Sequence, residues 1–290
     1  SGRADLYYTV FGLQTLAAVE PAAFEPAPFE PAAGLSGVAR RAKPEAAGDS
    51  QARSASLARQ TRAYLRTFGD GADLDFVHLC CLARCWALLS NAAATEVYES
   101  IPARLKAFRA DDGGYSHVPG ADHGTAYGAF LALGAYEDAG VDPPDADRLA
   151  ESLAGLRASG GGYAGTPGAD AGAVPATAAI VVTLAGLGQA IDASTAQWLL
   201  GQQRPTGGWP AAPGAPTADL LSTATALHAL AAAGGSLDDA PRAACLAFVE
   251  SLAADDAGPP RRAGFRGHPA DTVADCEYTF YGLLALGHLT

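Results

Sequence analysis

The sequence predicts an all-α fold in which two concentric layers of helices close into a ring. Three observations carry that expectation. The two ends of the chain match: residues 5–16 read DLYYTVFGLQTL and residues 275–289 read DCEYTFYGLLALGHL, each with Asp, three residues, Thr and then an apolar run at helical spacing. Between the ends, nearly all-apolar stretches alternate with amphipathic ones, and an apolar helix is covered on enough sides only if it belongs to an inner layer. Glycine–aromatic segments recur, with Gly113, Gly161, Gly207 and Gly264 separated by 48, 46 and 57 residues. Such self-similarity marks a repeat architecture.

Residues 5–19 form the first apolar helix, with Asp5 and Thr9 as its polar start. Residues 20–54 begin EPAAFEPAPFEPAAG and hold no periodicity, which reads as a Pro/Ala-rich arm or linker. An amphipathic, basic helix follows over 56–69, stopped by Gly69, and then a far more apolar one over 74–89. The alternation continues with amphipathic helices over 97–110, 146–159, 191–203 and 240–256. The apolar ones cover 125–136, 176–188, 222–234 and the terminal 275–289. Six inner helices and five to six outer ones result, in one domain over residues 1–290 closed by its N- and C-terminal repeats. Each outer-to-inner connection carries DDGGY (111–115), GGGY (160–163), PTGGW (205–209) or AGFRG (263–267). The glycines permit positive φ and close approach of two segments, and the aromatic fills the gap between adjacent helix pairs.

Net charge is -12, with 31 acidic residues against 19 Lys and Arg. That balance argues against a nucleic-acid or anionic-membrane surface. Five cysteines, odd in number and without metal-finger spacing, fit a reducing, cytoplasmic setting. No stretch reads as a membrane span or a signal peptide.

If every apolar helix starts at the same end of the ring, Asp5, Asp73, Asp75, Asp122, Asp219, Asp275 and Glu277 gather at one mouth. Acids at helix N-termini cap the first amides and suit the helix dipole. Gathered carboxylates could instead bind a divalent cation, or protonate or stabilise a cationic intermediate. His78, Cys81 and Cys85 share a helical face with Asp75 one turn before, a pattern open to metal binding or to core packing. His123 and His268 lie in loops at the mouth, as polar contacts or as solvated side chains. Tyr7, Tyr8, Phe11, Tyr127, Tyr278 and Tyr281 fall on inner helices, either as core or as the lining of an apolar central funnel.

Gln203, Gly207 and Trp209 form Q-x-x-x-G-x-W, which resembles the QW motif of terpene cyclases. The Gly-Gly-aromatic loop followed by Asp and a helix is similar to the repeat of protein prenyltransferase β subunits, to which the closer similarity runs. The chain thus resembles the prenyltransferase/terpene cyclase superfamily, whose fold is the α/α toroid. The resemblance implies an isoprenoid in the central cavity, a helical α-subunit-like partner and a zinc ion. The family's DGCYSFW supplies two zinc ligands; DCEYTFY here places Asp275 at the Asp and Glu277 at the Cys position. The third ligand, a His in a segment like DFYHTCY, corresponds to Tyr8 in DLYYTVF. DHGTAYGA (122–129) is similar to DVRSAYCA, whose Arg holds the prenyl diphosphate and is Gly124 here. Further basic diphosphate ligands correspond roughly to His268 and Asp271, and Tyr278 matches a diphosphate-contacting Tyr. Tyr278, Asp5, Asp122, Tyr127, Asp219, His123 and His268 are therefore the expected substrate contacts. With the thiolate and the basic cluster replaced, the implied function is lipid binding with transferase chemistry altered or lost. The alternatives are a non-catalytic scaffold on the same fold, and a terpene-cyclase-like enzyme, for which Asp73-Leu74-Asp75 is a fragment of the acid motif.

Overall fold

A computed structural model describes residues 5–19, 47–89, 95–256 and 262–290. In chain order it runs α1 (Leu6–Val19), α2 (Ala47–Arg66), α3 (Phe76–Leu89), α4 (Thr95–Leu105), α5 (Ala126–Asp138), α6 (Ala146–Ala154) and α7 (Val174–Gly186). It continues with α8 (Ala193–Gln202), α9 (Leu220–Ala232), α10 (Asp239–Ser251), β1 (Ala253–Asp256), β2 (Arg262–Phe265) and α11 (Cys276–Leu289).

The odd-numbered helices close the ring. Each of α3, α5, α7 and α9 packs against the odd helix before and after it, and α1 packs against α11. The even-numbered helices lie outside: α2 on α3, α4 on α3 and α5, α6 on α5, α8 on α7 and α9, and α10 on α11. The Ala- and Leu-rich inner sequences favour helix and are apolar enough to be covered on both flanks. The core between the layers falls into two clusters. One is centred on Phe76, Trp86, Tyr115 and Tyr136, the other on Trp209, Leu220, Phe248 and Val249.

Three hydrogen-bond patterns repeat around the ring and fix the polarity of the inner layer. Tyr115, Tyr163 and Trp209 accept at their carbonyls from the amides of Thr125, Ala173 and Asp219, 2.8, 2.9 and 3.1 Å away. The amides of Tyr163, Trp209 and Phe265 donate to the hydroxyls of Thr177, Thr223 and Thr279 on the helix that follows. The first residues of α5, α7 and α9 then reach forward to the next loop. Ala126 donates to Gly165 O, Val174 to Ala211 O and Leu220 to Gly267 O, at 3.0, 2.8 and 2.8 Å. Successive helix starts are thereby chained along one end of the ring.

The loop glycines behave as expected in three of four repeats. Gly113, Gly161 and Gly207 have φ of 93°, 90° and 102°, and the aromatics Tyr115, Tyr163 and Trp209 are buried. The fourth connection differs: β1 and β2 form an antiparallel hairpin, Ala253 opposite Phe265 and Asp256 opposite Arg262. Helix α10 therefore ends at Ser251, short of the expected residue 256, and the hairpin accounts for the longer last spacing. The expected arm is also corrected, because α2 begins at Ala47 and takes in residues 47–54. That stretch is too polar to show an apolar stripe, yet it holds good helix formers. The rest of the arm, 20–46, lies outside the described residues.

Candidate functional site

The chained helix starts put the N-terminal caps of the inner layer around one mouth. Asp5 accepts from the Tyr7 amide at 2.8 Å, Asp75 from His78 at 2.9 Å and Thr125 from Gly128 at 2.9 Å. Asp219 accepts from Ser222 at 2.7 Å and Asp275 from Tyr278 at 2.8 Å. The carboxylates so do what a helix N-terminus asks of them, satisfying amides left without an intrahelical partner. In α7 the capping position is Ala173, which brings no side-chain acceptor. In the 111–125 loop the acid that organises the backbone is Asp112, which accepts from Gly114 and Gly124. Asp122 stays exposed, and His123 lies 3.4 Å from Asp112.

Two groups of side chains meet at this mouth. The first joins α1, α3, α5 and α11. Tyr7 donates its hydroxyl to Glu277 Oε1 at 2.8 Å. His78 Nδ1 sits 2.8 Å from Asp75 Oδ2, and its Nε2 is 3.9 Å from Asp5 Oδ2. Tyr127 lies on α5, opposite α11 in the ring order, yet the Glu277 charge reaches its phenol. The same holds among Tyr7, Tyr127 and Tyr281, each within electrostatic reach of the others or of Glu277.

Burial raises the Glu277 carboxyl above the usual range; the Tyr7 hydroxyl opposes this and Asp275 adds to it. Burial and then Glu277 push the Tyr7 phenol up. The Tyr127 phenol is pushed up to about 12, by burial first and then by Cys81, Cys80 and Glu277. Tyr127 and Phe130 are 47% and 39% exposed. At i and i+3 they share one face of α5 and form a partly exposed aromatic wall.

The second group lies between α9 and α11. His268 Nε2 is 2.7 Å from Thr217 Oγ1. Burial raises the Asp219 carboxyl, opposed by Ser222 and by His268. The Tyr278 ring rests on Gly267, where any Cβ would overlap it.

The donor set at the zinc-equivalent positions fits zinc poorly. Asp275 is taken up in capping, Glu277 holds the Tyr7 hydroxyl, and Tyr8 is 50% exposed. Cys276 Sγ turns away, 3.6 Å from the Tyr8 carbonyl. Among the described residues no group of three or more His, Cys, Asp or Glu could hold a metal ion. A set of two carboxylates and a phenol also lacks the soft and imidazole donors that zinc prefers. Cys81 and Cys85 are core residues; burial pushes the Cys81 thiol up to about 12 and raises that of Cys85. Tyr7, the side chain that meets Glu277, is one position away from the residue the motif singled out. The available signal was helical: Tyr7 and Phe11 are i and i+4 and their rings pack at 5.1 Å.

At the far end of the inner helices Arg84 Nε lies 2.8 Å from Asp138 Oδ2. Burial pushes the Asp138 carboxyl up to about 6, with Arg84 opposing. A carboxyl raised in the folded state contributes stability that is complete below its unfolded value and lost as pH rises through the folded one. Asp138→Asn is therefore expected to flatten the pH dependence of unfolding between about pH 4 and 6. Urea titrations across that window check it. A cavity of about 220 Å³ opens outside the ring between α6, α7 and α8, lined by Ala150, Tyr163, Val181, Leu184, Ile191 and Thr195 among others.

The sequence model of the prenyltransferase alpha-alpha toroid domain matches residues 127–195 and 191–290, more than half of the chain. The chain belongs to this family. Solved structures agree on the fold. Candida albicans protein geranylgeranyltransferase-I, complexed with GGPP, matches with a TM-score of 0.57 and 15% identity over 73% of this chain and 66% of that one. The chain thus spans just under two thirds of the transferase's length. The type II terpene cyclase MstE from Scytonema in its apo form matches with a TM-score of 0.55 and 13% identity over 98% of this chain and 87% of that one. A variant of that cyclase in complex with geranylgeranyl dihydroxybenzoate gives 0.54 and 13% over 98% and 86%. No curated protein matches. The family match confirms the toroid expected from the Gly-aromatic repeats, in a prenyltransferase-like or terpene-cyclase-like form. No described helix is long and apolar enough to cross a membrane.

Proposed function

We propose that the toroid holds an isoprenoid or similar lipid chain along its axis, with the transferase chemistry of its family altered or lost. The observation that carries this reading is the aromatic wall of Tyr127 and Phe130, left partly exposed on one face of the inner helix α5. Large apolar side chains held open in a concave site are what a lipid chain needs. A ring plugged by its own side chains, as a scaffold would have, leaves no such wall.

The same mouth is poorly suited to a diphosphate. Helix N-termini attract anions through free amides and the helix dipole. Here four of the six inner helices already spend those amides on Asp5, Asp75, Asp219 and Asp275. A further anion would meet their charges and that of Glu277. The transfer of a prenyl group needs donors at the leaving diphosphate, and the basic positions of the family are Gly124, His268 and Asp271 here. A helical α-subunit-like partner is part of the same proposal and rests on the family alone. A cytoplasmic setting is supported by five free cysteines.

Thermal unfolding with geranylgeraniol and geranylgeranyl diphosphate tests the reading. At about 100-fold excess over Kd, bound alcohol contributes about 2.7 kcal/mol and raises Tm by several degrees, while the diphosphate raises it less. No shift with either lipid contradicts it.

A further inference from the structure

We propose that the cavity between α6, α7 and α8 is a binding site for a small neutral carbonyl compound, whose oxygen accepts hydrogen bonds from the hydroxyls of Tyr163 and Thr195. It lies outside the ring and is independent of the axial lipid. About 220 Å³ is open there. A void of about 150 Å³ takes up benzene, so there is room for one ring with a short substituent. Ala150, Val181, Leu184 and Ile191 supply the apolar wall.

Tyr163 and Thr195 line the same cavity and are only 7% and 1% exposed. Arg157 Nη1 donates to both oxygens, at 3.3 Å to Tyr163 and 3.0 Å to Thr195, so the two hydroxyls are neighbours. The guanidinium also lies over the Tyr163 ring, 5.1 Å from its centroid. A hydroxyl that accepts from a guanidinium still has its one proton to give. No acceptor among the described residues takes either proton. The equivalent loop aromatics differ in this respect. Tyr115 donates its hydroxyl to Tyr136 at 3.1 Å, and Trp209 Nε1 donates to the Leu199 carbonyl at 2.7 Å. Of these three side chains, the one that borders the cavity is the one whose donor is unspent.

Charge narrows the ligand class. Arg157 Nη2 donates to Ser194 Oγ at 2.7 Å and lies 3.6 Å from Asp192 Oδ2. Asp192 also lines the cavity, and the Ser194 amide holds its carboxyl below the usual range. An anionic ligand would meet that carboxylate with the guanidinium already engaged, whereas a neutral carbonyl meets two donors.

Methyl NMR titration of the whole chain with acetophenone, isopropylbenzene and benzoate, three probes of similar size, tests this. Acetophenone is expected to shift the methyl signals of Val181, Leu184 and Ile191, and benzoate to leave them unmoved. Tyr163→Phe and Thr195→Val each remove one donor at nearly constant shape, and the variants' own methyl spectra report that the fold is kept. Each is expected to weaken acetophenone about two- to tenfold and to leave isopropylbenzene unchanged. Ala150→Leu, which fills the cavity, is expected to abolish binding of both. The proposal is overturned if acetophenone does not bind, if benzoate binds tighter, or if acetophenone binds both donor variants as it binds the wild type. Equal weakening of acetophenone and isopropylbenzene by the donor variants, or shifts confined to the inner helices away from the cavity, would overturn it too.

Discussion

Trp209→Ala is expected to destabilise the protein by about 3–5 kcal/mol, the range for emptying a fully buried large aromatic site. Trp209 has no exposed surface and does three things at once. Its ring fills the space between α8, α9 and α10 in the second core cluster. Its indole Nε1 donates to the Leu199 carbonyl of α8 at 2.7 Å. Its backbone joins the loop to α9, donating to Thr223 Oγ1 at 3.0 Å and accepting from Asp219 at 3.1 Å. Alanine keeps the backbone bonds and loses the rest, leaving a cavity with an unpaired carbonyl in its wall. Urea unfolding read by circular dichroism gives the number. A loss under about 1 kcal/mol would mean that the aromatic does not fasten neighbouring repeats together.

Gly207→Ala, two residues earlier, is expected to cost about 3 kcal/mol or more, because steric overlap adds to backbone strain. The residue sits at φ 102°, and its Cβ would overlap the Ala244 carbonyl and crowd the Cys245 amide of α10. Both obstacles are helix backbone and cannot swing aside as a side chain would. Gly120→Ala is the control: φ is 70° and nothing lies within 4 Å of the new Cβ, so only the left-handed backbone cost of about 1–2 kcal/mol applies. If the two substitutions cost the same, Gly207 serves its turn alone and not the close approach of α10 to the loop.

The repeat was legible because each of its physical requirements leaves a residue behind. Positive φ leaves Gly113, Gly161 and Gly207; the filled gap leaves Tyr115, Tyr163 and Trp209; capping leaves Asp219 and Asp275. All eleven α-helices among the described residues were legible as alternating apolar and amphipathic stretches. What escaped notice had no such trace. Residues 47–54 are helical without an apolar stripe, and the hairpin at 253–256 and 262–265 continues what reads as helix. The buried hydroxyls of Thr177 and Thr223 receive loop amides, but Thr in an apolar run reads only as tolerated. In the first repeat the equivalent position is Ala129.

The mouth was legible in part. That acids would gather there followed from their shared place at helix starts, and their capping role from the dipole. That Tyr7 rather than Tyr8 meets Glu277 depends on how α1 is rotated against α11, which motif alignment does not encode. That Asp122 stays exposed and His123 sits beside Asp112 likewise follows from the loop taking Asp112 as its organiser.

The axial lipid site is tested most directly by cross-linking with a photoactivatable geranylgeraniol analogue, followed by peptide mapping. Adducts are predicted on the inner helices, at Tyr127, Phe130 and Tyr281, with competition by unlabelled geranylgeraniol. Adducts confined to the outer cavity around Ala150, Leu184 and Ile191, with the inner helices unlabelled, would contradict it.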